Sequence, residues 1–160
     1  MPRRPFRVGR SNTGLGLFAT RPIRKRARIA EYKGRKLTTK EATRLETRGN
    51  LYLYELNSRW TIDGTPRSNI ARYFNHSCNP NAEVYDVKHR VFIRTLRPVK
   101  PGEEITYDYQ IGRDRADPPN VDDIFACRCG AHGCRGSMLW PPRRRRGLPQ
   151  RATRRAGKSA

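Results

Sequence analysis

Asn75-His76-Ser77-Cys78-Asn79-Pro80-Asn81 lies near the middle of a 160-residue chain, and Gly102-Glu103-Glu104-Ile105-Thr106-Tyr107-Asp108-Tyr109 answers it downstream. The first run sets an amide, an imidazole and a thiol ahead of a proline; the second ends in two tyrosines around an aspartate. Outward from this pair the chain reads as short strands. Leu51-Tyr52-Leu53-Tyr54-Glu55-Leu56 alternates with period two, Asn57-Ser58 predicts a turn, and residues 60–64 predict the returning strand. Residues 69–74 predict a short helix with Ile70 and Phe74 inward. Val84-Tyr85 and residues 90–94 predict another hairpin, and Pro98, Pro101 and Gly102 are turn breakers. Closer to the start, Thr38-Thr39-Lys40-Glu41 is a capping box that predicts a surface helix stopping near Gly49. Ile29-Ala30-Glu31-Tyr32-Lys33-Gly34 predicts a strand ending at a turn. Leu17, Phe18 and Ala19 predict a buried strand behind Gly14 and Gly16, which allow a tight turn or a close approach to a ligand. No repeat is visible. The class is mainly β, with many short strands, few short helices and non-local pairing.

Composition narrows the possibilities. One domain is expected at this length, and mean hydropathy is −0.91. Polarity is uneven, so a compact domain with disordered ends is expected. No apolar run is long enough to span a bilayer, and residues 1–10 lack the apolar core of a secretory signal. A reducing compartment, no membrane partner and a monomer are therefore expected. The net charge is +21. Residues 1–50 hold 15 basic and 3 acidic side chains, and residues 141–160 hold 8 basic and none acidic. Residues 103–123 reverse this, with 7 acidic and 2 basic. This acidic island would either draw a basic peptide to a nearby groove or stand as a solvated loop. The tail, with Arg143-Arg144-Arg145-Arg146, suits DNA phosphates or a localisation patch; otherwise it adds solubility alone.

Cys127, Cys129 and Cys134 form C-x-C-x4-C, and Cys78 is the one other cysteine. In a reducing compartment this pattern argues for zinc, which takes four thiolates in a closed structural site. A single site would use all four cysteines. The alternatives are four free thiols, or His132 in place of a cysteine.

The pair N-H-S-C-x-P-N and G-E-E-I-T-Y-D-Y resembles the signature of the SET-domain protein lysine methyltransferases. The resemblance covers about residues 7–139. It implies a β-fold of short sheets in which the two runs cross as a pseudoknot under the active site. It implies a SET domain over 11–112 and a zinc-bound post-SET segment over 113–140; by composition, residues 1–10 read as a mobile, basic, proline-broken arm and 141–160 as a disordered basic tail. No cysteine precedes Cys78, so no cysteine-rich pre-SET segment is expected. The resemblance implies S-adenosylmethionine as methyl donor, held by Thr13, Gly14, Leu15, Gly16, Tyr32, Asn75 and His76. Arg72 would reach the donor's carboxylate or brace the knot. Cys78, Cys127, Cys129 and Cys134 would share the zinc, holding Met138, Leu139 and Trp140 over the cofactor and the substrate channel. Tyr109 would be the catalytic tyrosine, Tyr107 the Phe/Tyr switch that limits methyl number, and Tyr52 a wall of the lysine channel; each could instead be a buried strand tyrosine. Residues 65–67, Thr-Pro-Arg, stand where several family members carry a further channel tyrosine. The implied substrate is a basic, histone-like or DNA-associated protein, with nucleic acid as a further partner of the tail. The place of action would be cytoplasmic or nucleoid-associated in a bacterium, and nuclear in a eukaryote or a host cell. The competing reading is a weakly active SET scaffold that binds chromatin or nucleic acid.

Overall fold

The computed structural model describes residues 4–140. The chain opens with a hairpin, β1 (Phe6–Ser11) and β2 (Gly14–Ala19), in continuous antiparallel register. This corrects the expectation of a mobile arm for residues 6–10; residues 1–3 lie outside the described residues. From Phe6 onward the arm is strand, because Phe6 is buried in the core and β2 takes up the backbone hydrogen bonds. Its arginines and prolines hide that pairing. Three further short sheets complete the set. β3 (Arg28–Tyr32), β8 (Ala82–Val87) and β9 (Arg90–Thr95) form a sheet in the order β3-β9-β8. The β8–β9 hairpin turns on Lys88 and His89, both at positive φ, as a two-residue hairpin requires. β4 (Arg35–Thr38), β5 (Leu53–Glu55) and β6 (Trp60–Asp63) form the order β4-β6-β5.

Helix α1 (Thr39–Thr47) starts where the capping box predicts. Thr38 accepts the Glu41 N–H, and the Glu41 carboxylate accepts the Thr38 N–H at 2.8 Å. Strand β5 is shorter than expected: the Asn50 side chain takes the Tyr52 N–H in a turn, and Leu51 is exposed. Residues 70–73 form a 3₁₀ turn that sends Phe74, 1% exposed, into the core.

The fourth sheet is the crossing implied by the two quoted runs. β7 (Asn75–His76) pairs in parallel with β10 (Thr106–Tyr107). Ile105, just before β10, donates its N–H to Leu17 of β2 at 2.7 Å. Asn81 then ties the runs together: its amide donates to the Glu104 carbonyl at 2.7 Å and accepts the Thr106 N–H at 3.0 Å. Leu17, Ile93 and Ile105 are fully buried beneath this knot. A short helix, α2 (Val121–Ile124), leads into the cysteine segment. No helix among the described residues is long and apolar enough to cross a membrane. The basic tail, residues 141–160, lies outside the described residues.

Candidate active site

The β7–β10 pairing sets Asn75 beside Thr106 and His76 beside Tyr107. A polar cleft of about 250 Å³ opens next to them, lined by Thr13, Asn75, His76, Glu104 and Arg128 among others. Thr13 sits at the tip of the β1–β2 hairpin and lines the cleft, whereas Gly14, Leu15 and Gly16, in β2, are not among its lining residues. Gly14 holds φ at +123°, a conformation that side chains oppose. At Gly16 a Cβ would meet the Glu104 carboxylate at 2.2 Å and the Asn75 amide at 3.0 Å. The second glycine therefore serves protein packing: it lets Asn75 and Glu104 lie against β2. Asn75 then donates to the Leu15 carbonyl at 3.1 Å and to Glu104 at 2.7 Å. Ser11 donates to the other Glu104 oxygen at 2.8 Å.

The tyrosines gather on the other side of His76. The Tyr109 ring lies 5.0 Å from Tyr107 and 5.3 Å from His76, centre to centre. The Tyr109 hydroxyl donates to the Phe74 carbonyl at 2.7 Å. Burial pushes the Tyr109 pKa up to about 12 and raises Tyr107 well above its ordinary value. Both hydroxyls stay protonated near neutral pH. Tyr52 is half-buried, and its carbonyl accepts the Tyr32 hydroxyl at 3.0 Å. Tyr32 thus sits in the core behind Tyr52, its ring 5.4 Å from Tyr54, rather than on the cleft. Arg72 stacks its guanidinium 4.0 Å from the Tyr52 ring centre and donates to the Thr65 carbonyl. Its Nε is buried without a hydrogen-bond partner among the described residues.

Cys78, Cys127, Cys129 and Cys134 converge, with all four sulfurs within 4.8 Å of one another. Cys78 Sγ lies 3.7 Å from Cys127 and 3.8 Å from Cys134. Tetrahedral thiolates bonded to zinc at about 2.3 Å would stand about 3.8 Å apart, whereas a disulfide needs about 2.05 Å. The donor set therefore fits a four-coordinate metal ion. Backbone N–H groups face the sulfurs, as a set of thiolates requires: Arg135 donates to Cys78 and Gly136 to Cys134, each at 3.4 Å. His132 is not part of the cluster.

His76 joins the two centres. Its Nδ1 accepts the Tyr109 N–H at 3.1 Å, which leaves the proton on Nε2, 3.4 Å from Cys78 Sγ. Burial lowers its pKa, against the pull of Asp108, so the ring is neutral. Asp108, between the two tyrosines, binds the Arg135 guanidinium at 2.7 and 3.0 Å. Arg135 also faces the Trp140 ring at 5.5 Å. Leu139 is buried, whereas Trp140 is partly exposed and anchored by its N–H on the Ile111 carbonyl. Sequence reading missed Glu104, Arg128 and the Asp108–Arg135 pair. The aspartate in Y-D-Y was visible, but nothing in the order of residues announced its partner. The acidic island is also less bare than its composition suggested. Asp122 is taken by Arg113 at 2.6 Å, Asp108 by Arg135, and Asp114 and Asp117 cap N–H groups of their own loop.

A family model, the SET domain, matches residues 14–110. The chain is 36% identical over 147 residues to the histone-lysine N-methyltransferase, H3 lysine-4 specific, of Emericella nidulans, a match covering 85% of this chain and 12% of that protein. It is 37% identical over 133 residues to histone-lysine N-methyltransferase SETD1 of Drosophila melanogaster, covering 77% and 8%. It is 33% identical over 148 residues to histone-lysine N-methyltransferase SUV39H2 of Xenopus tropicalis, covering 78% and 36%. The chain thus spans a minor part of the length of each of these relatives.

Proposed function

The chain belongs to the SET domain family, and on that footing we propose that it is an S-adenosylmethionine-dependent protein-lysine N-methyltransferase. The observation that carries the reading is the β7–β10 pairing, which gathers His76, Tyr107 and Tyr109 beside the polar cleft. The names of the relatives, all histone-lysine N-methyltransferases, support a basic, histone-like or DNA-associated substrate. Such a substrate implies work in a nucleus or on a nucleoid.

Two features suit the methyl donor. Thr13, Asn75 and His76 line a polar cleft, and the buried Arg72 Nε offers an unmet donor suited to a carboxylate. S-adenosylmethionine, when bound, supplies an electrophilic methyl group. The chain's own task is to present a neutral lysine amine. At pH 7 the neutral form costs about 4.6 kcal/mol from an ordinary pKa near 10.4. The desolvation that raises Tyr107 and Tyr109 also disfavours an ammonium, and so lowers that cost. Tyr109, fixed on the Phe74 carbonyl, orients the amine; the face of Tyr52 walls the channel and tolerates a methylated ammonium. Cys78, Cys127, Cys129 and Cys134 would hold zinc, which would fix the segment 113–140 against the knot.

The test is transfer of labelled methyl from S-adenosylmethionine to histones and to nucleoid proteins. Tyr109→Phe should keep the fold and donor binding while turnover falls about a hundredfold, the scale of one positioned polar group. A folded Tyr109→Phe variant with unchanged turnover refutes the assignment. Absence of transfer to any basic protein refutes the function.

A further inference from the structure

The first 30 residues contain nine arginines and lysines and no acidic residue. The fold collects part of this charge on one rigid surface. Ile23 and Val99 exchange both backbone hydrogen bonds at 2.9 Å, and Ala19 accepts the Gly102 N–H at 2.8 Å. Thr20 donates to the Pro5 carbonyl at 2.9 Å, which draws the first segment to the same edge. Ile23 and Val99 are both buried, so the alternation of an antiparallel pair turns their neighbours outward. Arg24 and Lys100 therefore emerge on one solvent face from two segments about 75 residues apart in sequence, with Lys25 beside them; all three are exposed. Arg4 and Arg21 lie on the same laced backbone and are exposed as well.

Several cations elsewhere are paired with carboxylates. Arg90 pairs with Glu31, Arg94 with Glu83, Arg113 with Asp122 and Arg135 with Asp108. On this edge Glu103 neutralises Arg97, and Glu83 reaches Arg26 at 3.5 Å. Arg24, Lys25 and Lys100 form no salt bridge among the described residues. Exposed cations gathered on neighbouring backbone present a positive surface that a polyanion can meet.

We infer that the edge formed by Arg24, Lys25 and Lys100, with Arg4 and Arg21 beside it, is a docking surface for the phosphate backbone of nucleic acid. The recognition is sequence-independent, because exposed cations on separate backbone segments meet phosphates, and phosphate contacts carry no sequence information. The surface is distinct from the basic tail and from the tyrosine cluster, and it does not depend on methyl transfer.

The experiment measures binding of the full chain to a short mixed-sequence DNA duplex as a function of salt. R24E/K25E/K100E should bind more weakly and lower the log–log salt slope by about 2 to 3, since each lost phosphate contact removes about 0.9. R24Q/K25Q/K100Q should show the same trend with a smaller loss of affinity. Circular dichroism of each variant should match the parent, because the three side chains are exposed. Methyl transfer to a free peptide should be unchanged, so failure here is separable from failure of the methyltransferase reading. An unchanged slope in folded variants overturns the proposal, and so does a parent chain that binds anionic lipid vesicles but no DNA.

Discussion

Tyr109 keeps its proton far into the alkaline range, because burial raises its pKa to about 12. A group with a raised pKa stays protonated below the new value, so its hydroxyl persists across the working range. The substrate amine is also protonated below its own pKa, but there protonation makes it inert, because only the neutral amine can attack. Turnover should therefore rise from about pH 7 to 9, up to about tenfold per unit while the amine pKa lies above the assay pH. Tyr109 should impose no downturn in that window. A flat rate, with chemistry shown to limit it, would count against this mechanism. Tyr107 is buried against Phe74 and Tyr109; under the proposed switch role its hydroxyl would add bulk where methyl groups accumulate. The parent enzyme should yield mainly monomethyl-lysine, and Tyr107→Phe should raise the higher states severalfold. Mass spectrometry after long incubation decides it; abundant trimethyl-lysine from the parent would reverse the assignment.

The cysteine segment and the knot are coupled through β7, which carries His76 two residues before Cys78. The segment around α2 has little core of its own; Val121 and Leu139 are among its few buried apolar side chains. Its order should rest on the metal, which in zinc-finger peptides contributes about 10–16 kcal/mol to folding. One zinc per chain is expected by elemental analysis of freshly purified, reduced protein. Cys127→Ser should lower that content and speed amide exchange over residues 111–140, while the β3-β9-β8 sheet keeps its protection. Turnover should fall as well, through loss of the His76–Cys78 contact and of the Arg135–Asp108 pair. Metal-free protein with a fully protected segment would remove zinc from the account.

The whole molecule carries +21, and several of its carboxylates are held by cations. Glu103 is the strongest case. Burial alone would raise its pKa, yet Arg97, the Lys100 N–H and Asn81 lower it to about 2. A carboxylate with a depressed folded pKa stabilises the protein above its unfolded value and loses that contribution as pH falls through the folded one. The loss should thus run from about pH 4.5 down to about pH 2. Asp108, Asp122 and Glu31 are lowered too and add to it. Glu103→Gln should cost stability at pH 7 and flatten this acid limb, as read from urea midpoints across the range. An equally steep limb in Glu103→Gln would assign acid unfolding to other groups.

Much of this protein was legible in its sequence, because local chemistry acts over a few residues. Thr38 and Glu41 announced α1 through a cap that closes within one turn. Asn57-Ser58 and the Gly14–Gly16 run marked their turns through backbone preference. The two quoted runs announced the fold family, and C-x-C-x4-C together with Cys78 announced the four-cysteine cluster. Tertiary structure alone decided the partners across long separations. It brought Cys78 to Cys127, 49 residues away, and Asp108 to Arg135, 27 residues away. It turned Tyr32 into the core and assigned the second glycine to Asn75 and Glu104. It made a strand of the basic arm, because Phe6 gained a core to enter and β2 supplied the hydrogen bonds. It also decided which charges stand alone, since a side chain's field depends on neighbours that the fold selects. Charge and propensity belong to the residue, whereas pairing and desolvation arise only when the chain closes on itself.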